Sequence, residues 1–226
     1  MKYGPVVGRT RGPTGHHRPP ARRRAFPIQG LLCMLVGMAF EGFSKKDSVV
    51  LVYTGEGKGK TSASIGLMVR ALGTGWRVAF VQFIKLWDVG EHQFIRSIMP
   101  IYDKQLDFYK GGVGFYEAGE MSAHDTSHDE HVKHARATYE FALKSAQSGE
   151  YDLVICDEIN NAVADKLLTN DDLEKLITAK HPKTSLCMSG RNFPKDLLRK
   201  VDIATNMTKI KHHYDDKYLA NKGIDY

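Results

Sequence analysis

The sequence predicts an α/β fold, a mostly parallel sheet with helices on both faces. Two features predict it. Short apolar stretches of strand length alternate along the chain with longer stretches of helical period, and an unbroken apolar strand is the kind that a parallel sheet buries on both faces. A glycine-rich turn joins the first such strand to the first such helix, which is where α/β proteins aim backbone N–H groups at a ligand.

Residues 48–53, a run of Ser48 followed by Val49, Val50, Leu51, Val52 and Tyr53, read as the first buried strand. Residues 60–72 read as a helix with apolar positions at 63, 65, 67, 68, 71 and 72. Residues 77–83 and 152–156 form the second and third strands. Ahead of the third, Ser127 and Glu130 make a capping box that opens a helix to about residue 147, and Gly149 stops it. Residues 171–179 are helical, 184–188 a strand, 194–201 a helix with proline in its first turn, and 203–207 a last strand.

Composition allows a packed core, with 42% hydrophobic and 26% charged residues in a chain of 226. The 32 Lys+Arg exceed the 26 Asp+Glu by six, but the excess is local. Seven basic residues (Lys2, Arg9, Arg11, Arg18, Arg22, Arg23, Arg24) and no acid lie in residues 1–40, which leaves −1 over residues 41–226. A nearly neutral body argues against a nucleic-acid surface. Residues 1–30 carry five prolines with repeated glycine and no hydrophobic period, the composition of a disordered segment. The expected organisation is a basic, Pro/Gly-rich extension over 1–45 with a short apolar segment, then one domain over 46–226.

The apolar run 31–40 is too short to span a bilayer. With the arginines before it, it looks faintly like an export signal, but no small-x-small cleavage site follows. Packing of this run on the body, or a start at Met34 or Met38, accounts for it more simply. Three well-separated cysteines, Cys33, Cys156 and Cys187, exclude a disulfide framework and fit a reducing compartment, so the expected location is the cytoplasm.

The turn after the first strand carries the chemistry. It reads Thr54, Gly55, Glu56, Gly57, Lys58, Gly59, Lys60, Thr61, a phosphate-binding loop in the strand–loop–helix context that such a loop requires. Its glycines let successive N–H groups turn inward as an anion nest, and the helix N-terminus adds its positive end. Lys60 supplies a mobile charge for the terminal phosphates, and Thr61 is a magnesium-ligand candidate. Thr54 departs from the common pattern, where glycine or alanine is usual. The fold expected is thus P-loop NTPase-like, of the RecA-like kind. Such a site needs a carboxylate on a neighbouring strand, and Asp157 with Glu158 ends the third strand at its ligand-facing end. Two adjacent acids there repel unless a cation compensates. The two segments together point to a magnesium nucleoside triphosphate.

His124, His128, His131 and His134, among Asp125, Asp129 and Glu130, offer a competing metal cluster. The capping box leaves His124 outside the helix, and the other three border its apolar face, the arrangement of a polar flank.

Further motifs follow in series: Arg70 to Gly73, Val81 to Lys85, Trp87, Gly90 with Glu91, Asp157 to Asn160, Ser189 to Arg191, Ile210 to His212, and Lys222 to Tyr226. With the loop, they resemble the ATP:corrinoid adenosyltransferases over about residues 49–226. The resemblance implies that Co(I) attacks C5′ of ATP and that the whole triphosphate leaves. It implies that residues 55–61 cradle the triphosphate, that Lys60 neutralises it, and that Thr61 or Ser62 holds Mg²⁺ with Glu158. Asp157 supports from behind, and Arg191 is a further phosphate or substrate contact. Aromatic residues after a mid-chain glycine displace the lower cobalt ligand in related enzymes. Here Phe115 and Tyr116 match best, without the family's Phe-x-Trp spacing. Glu56 stands where asparagine is frequent, and Asn161 where an aromatic is. The expected partners are ATP, a corrinoid and an electron donor such as a flavoprotein, with neither nucleic acid nor membrane; a homodimer is the assembly to look for. The alternatives are a P-loop ATPase or nucleoside kinase, and an ATP-dependent corrinoid carrier without catalysis.

Overall fold

The computed structural model describes residues 42–85, 88–112 and 127–226. Among these, six strands form one sheet in the order β3-β2-β4-β5-β1-β6, every pair parallel. The strands are β1 (Val50–Thr54), β2 (Val78–Gln82), β3 (Leu106–Lys110), β4 (Leu153–Asp157), β5 (Ser185–Ser189) and β6 (Ile203–Asn206). The helices are α1 (Lys60–Gly73), α2 (Gly90–Ile98), α3 (His128–Ser148), α4 (Ile159–Ala164) and α5 (Asn170–Ala179), with 3-10 turns at Lys195–Lys200 and His213–Asp216. None of the described helices is long and apolar enough to cross a membrane.

Alternation along the strands sorts the core into two layers. Leu51, Val78, Phe80, Ile155 and Cys187 pack with Met68 and Leu72 of α1 and Ile95 of α2. Val50, Val52, Val81, Val154 and Met188 face the other way, onto Tyr139 and Leu143 of α3, Ile159 of α4 and Leu176 of α5. Burying one such large apolar side chain is worth roughly 1.5–3 kcal/mol. Cys156 and Cys187 belong to opposite layers, so they cannot meet; both are free, and burial pushes both thiols up.

The capping box that opens α3 forms as expected, with Ser127 accepting the Glu130 N–H and Gly149 closing the helix in the left-handed region. Two differences from the sequence reading bear on the frame of the site. The proline-led segment is a 3-10 turn, because Pro194 keeps an extended ψ and the turn closes over six residues. The acid-bearing strand β4 is not adjacent to β1; β5 runs between them. The second difference shapes the site.

Candidate active site

The phosphate loop is tied to Met207, the residue that follows the edge strand β6. Met207 N–H donates to Thr54 O at 2.7 Å, and Gly57 N–H to Met207 O at 2.6 Å. A Cβ at Gly57 would lie 2.6 Å from that carbonyl, and one at Gly55 would lie 2.5 Å from both Met207 O and the Asn206 side chain. Only glycine fits against β6 there. Gly59 caps α1 with φ 111°, the left-handed region. Lys60 Nζ donates to Gly55 O and Gly57 O, each at 2.7 Å, and burial with the nearby Arg191 charge lowers its pKa. The Thr54 hydroxyl, at the position of the unusual residue, accepts the Phe193 N–H at 3.2 Å.

The acid pair divides its roles by geometry. Register sets Gln82 of β2 beside Asp157 of β4, and Ser189 of β5 lies one step past the Cys156–Met188 pair. All three side chains project into the α1/α2 layer. Asp157 accepts from Ser189 Oγ at 2.6 Å and from Gln82 Nε2 at 3.1 Å, and all three residues are fully buried. Behind Gln82, His92 of α2 donates from Nε2 to Gln82 Oε1 and accepts the Val89 N–H on Nδ1; burial lowers its pKa, as suits a neutral ring. Asp157 is therefore held in the buried layer by its two donors, Ser189 and Gln82.

Glu158 turns the other way. Its backbone sits at φ 64°, a left-handed conformation that costs a non-glycine residue energy and concentrates at functional sites. The Ser189 Oγ accepts its N–H at 2.9 Å and helps to fix it. Its Oε2 is buried without a hydrogen-bond partner. Burial, and then the Asp157 charge, push its carboxyl well above the usual range.

A cavity of about 900 Å³ lies along the C-terminal edge of the sheet, where open α/β sheets bind ligands. The structure brings Glu56, Gly57, Lys58, Gly59, Lys60, Thr61, Ser62, Glu158 and Arg191 onto its wall. Gly55 packs on β6 just behind. Arg191 Nε lies 3.3 Å from Glu56 Oε2, and its N–H donates to Asn161 Oδ1 at 2.8 Å. Phe115 and Tyr116 lie outside the described residues.

Two residues on this wall, Lys85 and Glu91, had no role assigned from sequence. Their side chains pair at 2.5 Å, both 16% exposed, and the pair lies near enough to Glu158 that this acid, after burial, most affects the Lys85 pKa. Both stand in quoted motifs, which was the available signal. Of the histidines, His131 is buried on α3 and not on its border. Among the described residues no group of three or more His, Cys, Asp or Glu is placed to hold a metal.

A glycine loop between a parallel strand and a helix, with its lysine in place and a buried acid two strands away, defines a P-loop nucleotide-binding protein. The chain belongs to the ATP:corrinoid adenosyltransferase family BtuR/CobO/CobP, whose family model matches residues 46–226. It is 30% identical over 179 residues to the corrinoid adenosyltransferase of Pseudomonas aeruginosa, covering 79% of this chain and 83% of that protein. Against the corrinoid adenosyltransferase of Escherichia coli K12 the identity is 29% over 179 residues, with 79% and 85% covered. The corrinoid adenosyltransferase CobA of Salmonella typhimurium is 28% identical over the same length and coverage. The chain is accordingly an enzyme of adenosyl transfer from ATP to a corrinoid, and the kinase and ATPase alternatives fall away.

Proposed function

We propose that this cavity binds ATP by its triphosphate and presents C5′ to the Co(I) of a corrinoid. Cobalt supplies the electron pair of the new cobalt–carbon bond, the C5′–oxygen bond breaks, and its pair leaves on the triphosphate. The observation that carries the reading is the buried, unpartnered Glu158 Oε2 on the cavity wall that also holds Lys60.

Each residue then has a task. Residues 55–61 cradle the triphosphate through the backbone N–H groups other than that of Gly57, which donates to Met207 O, and Lys60 neutralises charge that develops on the leaving oxygen. The unpartnered oxygen of Glu158 and the hydroxyls of Thr61 and Ser62 are the hard oxygen donors that suit Mg²⁺. Bound there, the ion would offset the charge of the triphosphate. Asp157, held by Ser189 and Gln82, keeps the following residue aimed outward. Arg191 is a further phosphate contact, relayed from Glu56. Phe115 and Tyr116 are proposed to lie against the corrin and displace its lower ligand. The setting proposed is the cytoplasm, which two free, buried cysteines suit. A flavoprotein electron donor and a homodimeric assembly complete the proposal.

Lys60→Ala should lower turnover by roughly 10²–10³, the value of a charge placed on developing negative charge in a water-poor site, with circular dichroism unchanged. Glu158→Gln should raise the Mg²⁺ requirement and recover in part at excess Mg²⁺. Near-normal turnover in Lys60→Ala would remove the loop from the triphosphate site.

A further inference from the structure

The closing residues, Ile210 to His212 and Lys222 to Tyr226, carry part of the family resemblance. After β6 the chain passes in front of the phosphate loop. His212, Tyr214, Ile224, Asp225 and Tyr226 complete the cavity wall. A Cβ on Gly90 would touch the Tyr226 carbonyl carbon at 3.8 Å, so the end of the chain meets the start of α2.

One contact joins this segment to the loop itself. Asp225 Oδ1 lies 2.7 Å from Lys58 Nζ, with the carboxylate only 11% exposed and the lysine 42%. The Asn221 N–H donates to Asp225 Oδ2 at 2.7 Å, and His213 Nε2 lies 3.6 Å from the same oxygen. The Asn221 N–H and the Lys58 ammonium hold the carboxyl down at about 2, so it is ionised at any working pH. The loop's two lysines thus differ. Lys60 donates to carbonyls of the loop, whereas Lys58 is neutralised by a carboxylate from the far end of the chain.

We infer that Asp225 is an internal competitor for Lys58, and that this carboxylate sets how tightly the site holds triphosphate. An incoming triphosphate takes the Lys58 ammonium from Asp225, and Asp225 takes it back as the product leaves. The reaction leaves its most highly charged product on a basic loop. Exchanging one ion pair for another lets that product go without baring a lysine.

The inference rests on the reading of the loop as the triphosphate site, and the test separates the two. Inorganic triphosphate is titrated with Mg²⁺ into the full chain by calorimetry, for wild type, Asp225→Asn, Lys58→Met, the double variant and Lys60→Ala. Asparagine keeps an oxygen for the Asn221 N–H and removes only the charge. Asp225→Asn should bind about two- to fivefold more tightly, the scale of a partly exposed ion pair, and the gain should vanish in the Lys58→Met background. Unchanged or weaker binding in Asp225→Asn would make Asp225 a structural clip and overturn the inference. A gain that survives Lys58→Met would overturn it too, since the charge would then act without Lys58. Lys60→Ala that binds like wild type would instead bring down the triphosphate reading itself. The wild-type chain gives a second reading should Asp225→Asn fail to fold. The ¹³C resonance of the Asp225 carboxylate should move on adding triphosphate, and a fixed resonance would count against exchange.

Discussion

Glu56 and Asn161 converge on Arg191. The Glu56 carboxylate faces its guanidinium at 3.3 Å, and Asn161 Oδ1 accepts its backbone N–H at 2.8 Å. Sequence could place these residues near one another only through the family order; the shared partner is visible only in the fold. Thr54 is similar, its hydroxyl engaged by Phe193, 139 positions further on. A second residue-scale consequence concerns tyrosine. The Tyr139 hydroxyl donates to Asp172 O at 3.0 Å and Tyr151 to Asp107 Oδ2 at 2.8 Å, and burial is the main cause that pushes each up to about 12. A pKa raised on folding means that the native state holds its proton longer than the unfolded chain. The stability from these two groups is therefore complete below pH about 10, the ordinary tyrosine value, and lost as pH rises toward about 12. Thermal melts across that window should show a falling Tm in step with tyrosinate absorbance, and Tyr139→Phe should flatten the fall. A Tm that held steady while both groups ionised would contradict the assignment.

Strands buried on both faces were legible as elements because their apolar runs are unbroken: the expected 48–53, 77–83, 152–156 and 184–188 meet β1, β2, β4 and β5 within two residues at each end. The elements that escaped are those without such a run. β3 reads Leu106, Asp107, Phe108, Tyr109, Lys110, with one buried position at a sheet edge, and α4 is a six-residue helix that the left-handed Glu158 starts. α2 has only His92 and Ile95 buried, too few to show a period. Yet α2 reaches the acid pair twice, through Glu91 to Lys85 and through His92 to Gln82 and Asp157. Gln82→Leu tests that link. It leaves the His92 Nε2–H and one Asp157 oxygen without partners, so the fold should lose about 1–3 kcal/mol for each buried group left unpaired. The Mg²⁺ concentration at half-maximal rate should rise as well. A loss of stability with no change in Mg²⁺ requirement would mean that Asp157 does not position Glu158.

At the scale of the molecule, the family model matches residues 46–226. The loop, its helix and the acid pair could be read in advance because each is a contiguous motif. The closing segment could be recognised by its residues but not placed, since its contact with Lys58 spans the whole domain. All of the basic excess lies in the first 40 residues, so deleting residues 1–30 should leave turnover with saturating corrinoid largely intact. A collapse of turnover in a truncated chain that still melts cooperatively would assign those residues a part in the reaction. The central claim is the leaving group: triphosphate departs whole from this loop as the cobalt–carbon bond forms. Anaerobic incubation of the full chain with MgATP and chemically reduced corrinoid measures it directly, by counting light-sensitive alkylcobalt product against released phosphates. One triphosphate per adenosylated corrinoid is the predicted result, and ADP, or pyrophosphate with AMP, in place of triphosphate would contradict the account.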